Sequence, residues 1–252
     1  MKKISSHIAT VIKEVTDQPI ILGGHDWGGW FVWRLTLYYP ELIRGVFSFC
    51  VPYRPPRPVK VTLEQLVEKL PNWRYQLQIS SGGTENIIQK SPERLRGFLN
   101  SLYGGRTPEG QPGFSTSVGI IEENIDIIGP SPLVSKDIMD FYVQEYSRHG
   151  LHAPCNWYRT RELESEDETV LAKEQPDFKF KLPAMLVMAE QDAALPLQMA
   201  DGQEEYFEGD NFKMEVLAGA NHWAMLQKPE ECNKLIGGFV KKVLGDDLKA
   251  SL

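Results

Sequence analysis

Three polar residues, each placed just past an apolar run, have the types needed for covalent catalysis: Asp26, Asp192 and His222. Asp26 sits in the frame Gly24-His25-Asp26-Trp27-Gly28-Gly29. Small residues two before and two after it permit a sharp strand-to-helix turn that pushes the central side chain outward. This is the geometry of the G-x-S-x-G nucleophile elbow, with Asp in place of Ser. Asp192 ends the run Glu190-Gln191-Asp192, and His222 ends Ala220-Asn221-His222. The chain order of nucleophile, acid and histidine suits a carboxylate that attacks and an imidazole, oriented by a second carboxylate, that activates water. Taken singly, an Asp after a strand commonly caps a helix, and a lone His is commonly a satisfied surface or core residue. The elbow frame and the shared order favour a catalytic triad.

A parallel sheet would bring these residues together. Residues 19–22 (PIIL) are apolar on both faces, as in a strand covered by helices. A helix over 30–39, stopped at Pro40, and a strand over 44–51 complete a βαβ unit. Upstream, Ile4, Ile8, Val11, Ile12 and Val15 recur at helical spacing. From Pro52 a proline-rich link (PYRPPRP) leads into mostly helical signals, with Ser91 and Pro92 as a helix start and Gly150 as a helix stop. Strand signals return at 182–189 and 212–217. A last helix begins near Pro229, with Leu235, Ile236, Phe239, Val240, Val243 and Leu244 on one face. The expectation is an α/β core over 1–52 and 179–252 with an inserted helical region over 53–178. The C-terminal ends of parallel strands share one edge, where ligands bind, so Asp26, Asp192 and His222 should converge there.

Composition narrows the alternatives. The 252 residues carry a net charge of −7, and no stretch is rich in Lys or Arg, which argues against a nucleic-acid surface. Cys50, Cys155 and Cys232 match no metal-ligand spacing, and an odd count argues against a disulfide framework; buried free thiols are expected. No apolar run approaches the ~20 residues of a membrane span. The start, MKKISSHIATVIKEV, lacks the continuous apolar region of a signal peptide, so a cytoplasmic protein is the default expectation.

The segments GHDWGG, AEQD and ANHW resemble the elbow, acid-strand end and histidine turn of the soluble-type epoxide hydrolases of the α/β-hydrolase fold. Haloalkane dehalogenases share much of that triad and remain an alternative. The inserted region favours epoxides: residues 72–77 (NWRYQL) and 156–159 (NWYR) resemble the two cap segments that carry oxirane-binding tyrosines. The resemblance implies Asp26 as nucleophile, His222 as base oriented by Asp192, and Tyr75 and Tyr158 as donors to the epoxide oxygen. It also implies the backbone N–H of Trp27 as an oxyanion donor, and Trp27 and Trp157 as substrate-binding residues. The implied reactants are a small-molecule epoxide and water, with no metal or organic cofactor.

The family also carries a His-Gly-x-Pro segment well before the elbow, which supplies a second oxyanion donor. No such motif occurs here: the histidines are His7, His25, His149, His152 and His222. Only 25 residues precede Asp26, so the resemblance implies that the N-terminal strands of the domain are missing. Two expectations follow. Hydrolysis of an alkyl ester should suffer more than its formation, and the strand at 19–22 should lie at a sheet edge, open to self-association. A non-catalytic remnant that binds ligands is the rival from another class. Detoxification, lipid epoxide turnover and secondary metabolism are all compatible roles.

Overall fold

The computed structural model describes residues 1–245 and divides into two compact units, Met1–Val59 with Glu166–Leu252 and Lys60–Ser165. The chain opens in the first unit with α1 (Lys2–Val15), β1 (Ile20–His25), α2 (Trp27–Tyr38) and β2 (Ile43–Phe49). It continues through α3 (Leu63–Lys69), α4 (Tyr75–Ser80), α5 (Gly83–Ile88), α6 (Pro92–Leu102), β3 (Phe114–Ser115) and β4 (Gly119–Ile120). Next come α7 (Glu122–Ile125), α8 (Lys136–His149), α9 (His152–Arg159) and α10 (Arg161–Glu174). The chain ends with β5 (Ala184–Ala189), β6 (Phe212–Leu217), α11 (Ala224–Gln227) and α12 (Pro229–Leu244).

In the first unit the strands form one parallel sheet in the order β1-β2-β5-β6. The register pairs His25 with Phe49, Phe49 with Val187 and Ala189 with Leu217, which aligns the C-terminal strand ends along one edge. Every residue of the inner strand β5 is buried, as its unbroken apolar run requires, whereas no residue of β1, at one end of the order, is fully buried. The core on the α2 side gathers Trp33, Leu35, Leu37, Tyr53, Leu171, Phe180 and Phe207, and the Trp33 indole N–H donates to the Val51 carbonyl at 2.9 Å.

The expected boundaries at 52/53 and 178/179 differ from the observed ones at 59/60 and 165/166. The reason is packing: Tyr53 and Leu171 belong to the α/β core, and Glu168 forms a buried ion pair with Arg34 of α2. The α1 stripe also differs from expectation. Ala9 and Ile12 are buried while Ile4, Val11 and Val15 are exposed, so an apolar face is left in solvent. On α12 only Phe239 of the six expected residues is fully buried, against Phe47 at 5.8 Å. Positions 246–252 of the expected 179–252 segment lie outside the described residues. Among the described residues no helix is long and apolar enough to cross a membrane.

The second unit has its own core of Ile79, Ile88, Leu95, Phe98, Leu99, Ile120, Ile125, Met139, Val143, Leu151 and Cys155. Its helices start and stop on local chemistry. Thr62 and Gln65 form a reciprocal capping box on α3, and Ser91 accepts the Arg94 N–H with Pro92 in the first turn of α6. Gly150 closes α8 at φ 74°, a left-handed value that disfavours a side chain.

Candidate active site

The turn after β1 is held by close backbone contact. A Cβ at Gly24 would run into the carbonyl of Gly28, and one at Gly29 would meet Ser48 Oγ at 2.6 Å, whereas Gly28 has open space at that position. Asp26 adopts φ 53°, ψ −124°, a conformation that side chains rarely take and that costs on the order of 1–3 kcal/mol. This strained position is the N-cap of α2, so the Asp26 carboxylate lies at the helix start: Oδ2 accepts the Trp27 N–H at 2.5 Å.

Asp26 Oδ1 lies 3.1 Å from His222 Nε2, and His222 Nδ1 lies 2.8 Å from Asp192 Oδ2. The imidazole therefore bridges two carboxylates. Asp192 is fixed in turn by the backbone N–H groups of Ala194 and Leu195, which donate to Oδ1 at 2.8 and 3.0 Å. The exposures differ in a useful way: Asp192 has no exposed side-chain surface, His222 has 20% and Asp26 has 32%. The acid is sealed, and the group expected to meet substrate is the most open of the three.

The electrostatics follow from these contacts. Burial acts to raise Asp26, but the hydrogen bond and charge of His222 and the Trp27 N–H outweigh it and hold the carboxyl below its ordinary value. Asp192 is lowered against burial in the same way, by His222 and its two backbone donors. Burial acts to lower His222, yet the carboxylates of Asp192 and Asp26 hold its proton well above the ordinary histidine value. Both carboxylates therefore favour the protonated form of the imidazole between them.

Two further residues face this cluster. His25 Nε2 is 2.8 Å from the His222 carbonyl, and Cys50 Sγ is 3.8 Å from the same oxygen. Composition alone made Cys50 a buried thiol. Yet it directly follows β2 as Asp26 follows β1, so the strand-end rule applied to Asp26 also marks Cys50.

In the second unit Tyr75 opens α4 and Tyr158 lies in the last turn of α9, with ring centroids 5.9 Å apart and planes at 74°. Tyr75 also packs edge-on against Phe114 at 5.6 Å. Arg159 of α9 reaches α4 where its Nε donates to the Ser80 carbonyl at 3.3 Å, and its guanidinium pairs with Glu85 of α5. Trp157, beside Tyr158 on α9, is half-buried.

Residues 4–235 match the model of the family described as "Alpha/beta hydrolase family". The chain is also 45% identical to "Epoxide hydrolase srdG" of Neurospora crassa over 97% of its own length and 72% of that relative's. This chain belongs to the α/β-hydrolases, in their epoxide hydrolase branch. The hydrolase is 26% identical to "Bifunctional epoxide hydrolase 2" of Mus musculus over 94% of its own length, spanning 42% of that longer protein. Among solved structures it is similar to Epoxide Hydrolase A from Mycobacterium thermoresistibile, with a TM-score of 0.74 at 21% identity over 95% of this chain and 75% of that one. That likeness concerns the fold. The resemblance read from the elbow, acid and histidine segments is thus met at the level of family.

Proposed function

We propose that this α/β-hydrolase opens an epoxide to a vicinal diol through an alkyl ester on Asp26. An Asp26 oxygen attacks a ring carbon, the C–O bond breaks, and Tyr75 and Tyr158 donate to the departing oxygen. Esterification then removes the Asp26 charge, one of the two carboxylates that hold the His222 proton. The His222 proton passes to solvent. The neutral imidazole, still oriented by Asp192, takes a proton from water as that water attacks the carbonyl carbon of the ester. The tetrahedral intermediate then breaks its bond to the diol oxygen, which leaves protonated as the Asp26 carboxylate is restored. The N–H of Trp27, already on Oδ2, is aligned for the oxyanion that forms there. Trp27 and Trp157 are the proposed substrate-binding side chains.

The observation that carries this reading is the two-sided hold on Asp26, with His222 on one oxygen and a backbone N–H on the other. A serine-type hydrolase would need a hydroxyl at that position. Dehalogenation uses the same triad, but residues 72–77 and 156–159, which resemble the oxirane-binding cap segments and bring their tyrosines together, favour an epoxide.

A polypeptide of these 252 residues contains no His-Gly-x-Pro segment. Loss of one oxyanion donor costs ~10² to 10³ in rate, so the ester is proposed to form faster than it is cleaved. Mass spectrometry after incubation with a reactive styrene-type oxide tests both halves. An adduct on Asp26 that outlasts the substrate supports the scheme, diol without any adduct on Asp26 removes the impairment, and neither adduct nor diol removes the reading. Halide release from a matched haloalkane, in place of diol from the oxide, would select the dehalogenase alternative. We also propose that β1, paired on one side by β2, allows copies of this chain to associate; a monomeric mass in sedimentation would end that proposal.

A further inference from the structure

The ends of β1, β2 and β6 bring together three metal-ligating side chains that the triad chemistry does not use as a set. His25, Cys50 and His222 each offer one ring nitrogen or sulfur, and these atoms all lie within 4.8 Å of one another. The His25 and His222 rings are 4.7 Å apart, and both His25 Nε2 and Cys50 Sγ approach the same His222 carbonyl. Cys50 is also strained. Its φ of 65° makes it, with Asp26, one of two non-glycine residues with positive φ among the described residues, and both flank His222. Such outliers persist where surrounding structure over-determines them, as at ligand sites.

We propose that His25, Cys50 and His222 form a site for a thiophilic divalent cation, Zn²⁺ or Cd²⁺, whose binding takes His222 out of the triad. The donor set fits the chemistry: thiolate and imidazole select such cations, whereas Mg²⁺ and Ca²⁺ require oxygen. A tetrahedral ion with bonds of about 2.0–2.3 Å spaces its ligands roughly 3.3–3.8 Å apart, so the widest pair must close by about 1 Å. Three protein ligands leave a fourth position for water. Asp26, the most exposed of the three triad side chains, offers a negatively charged route for the ion to enter.

The protons balance simply. The cation replaces the thiol proton of Cys50 and the proton on the His222 nitrogen that it takes, and both leave to solvent. His25 contributes a ring nitrogen, which binds such a cation as the neutral imidazole. His222 then gives up its hydrogen bond to Asp26 or to Asp192 and can no longer act as a base. Binding is thereby inhibitory, and it is independent of which substrate the enzyme takes.

The test uses the full 252-residue chain, stripped of metal and titrated with Cd²⁺ while the ultraviolet thiolate-to-cadmium charge-transfer band is recorded. One ion per chain is expected. Cys50→Ser should lose the band, and the double variant Cys155→Ser/Cys232→Ser should keep it. Cys50→Gly, which the positive φ suits, removes the thiol if the serine variant folds poorly. His25→Gln should weaken binding by more than the roughly 10–100-fold typical of an outer-shell loss. A band that survives in Cys50→Ser or Cys50→Gly, or no saturable band in the parent chain, would overturn the site. No substrate is needed, so this outcome is separate from the epoxide assay.

Discussion

His222 Nε2 stands 3.1 Å from Asp26 Oδ1, so the proposed base of the second half-reaction is in direct contact with the proposed nucleophile of the first. The contact separates the roles of the two residues by mutation. Asp26→Asn should abolish both adduct and diol, because the neutral amide is a poor nucleophile. His222→Gln should still take up one equivalent of epoxide but fail to release it, with turnover reduced by on the order of 10⁴ or more. Intact-protein mass spectra at successive times decide the matter. An Asp26→Asn protein that still turns over would remove Asp26 from the mechanism.

The same contact gives the cluster a pH signature. Asp26 and Asp192 have lowered folded-state pKa values, so their contribution to stability is present above the ordinary carboxylate value of about 4 and is lost as pH falls through the lowered values. His222 is raised, so its contribution is present below about 6.5 and is lost as pH rises through its folded-state value. The cluster should therefore be most stabilising between roughly pH 4 and 6.5. Urea midpoints of the parent and Asp192→Asn, compared across pH, should differ most in that window and less at alkaline pH, where the His222 charge is gone and the Ala194 and Leu195 N–H groups still hold the carboxylate. A difference that grows toward alkaline pH would show the sign to be wrong.

Much of this was legible because a parallel sheet converts chain position into spatial position. Asp26, Asp192 and His222 each follow an apolar run, and once those runs lie in one parallel sheet their ends share one edge. Tyr75 and Tyr158 could be paired only through resemblance, since no periodicity links positions so far apart in the chain. Arg34 was not legible at all. A charged residue inside an apolar helix signals a buried partner without naming it, and the partner, Glu168, lies 134 positions away in a stretch assigned to the inserted region. The place of residues 166–178 in the first unit rests on the same long-range pairing.

The glycines of the elbow are not equivalent, although the sequence frame treats them alike. Gly24→Ala places its Cβ against the Gly28 backbone, which has no flexible end to move aside, and should dismantle the turn. Gly28→Ala meets open space and favours the helical conformation of α2, so it should leave folding intact. Soluble yield and circular dichroism of the two variants provide the comparison. A Gly28→Ala protein that misfolds while Gly24→Ala folds normally would contradict the assigned geometry.

The tyrosines predict a pattern in which one substitution is partly covered by the other. Tyr75 and Tyr158 lie together in the second unit, and each is proposed as a donor to the same oxygen. Tyr75→Phe or Tyr158→Phe alone should slow adduct formation, and the double variant should lose the roughly 10² to 10⁴-fold attributable to general-acid catalysis. Pre-steady-state adduct formation is the correct readout, because total turnover would mix in ester hydrolysis. Two phenylalanines with no effect on that step would return the pair to ordinary aromatic packing.

Glu168 should matter to stability more than a surface acid does. Its carboxylate receives Arg34 Nε at 2.5 Å and Nη2 at 2.7 Å, and the arginine side chain is fully buried. The guanidinium also stacks over Trp30 at 3.9 Å, and its Nη1 has no hydrogen-bond partner. Removing the acid alone leaves a desolvated cation without its counter-charge, a change that costs about 3–5 kcal/mol. Replacing both partners with apolar residues of similar volume, as in Arg34→Met/Glu168→Leu, avoids that penalty and should be close to neutral or stabilising. Urea unfolding of Glu168→Ala and of the double variant makes the comparison. If the single variant loses less than about 1 kcal/mol, the value of a solvent-screened surface pair, the ion pair does not hold residues 166–178 to the α/β unit, and their place there rests on Leu171 and its apolar neighbours alone.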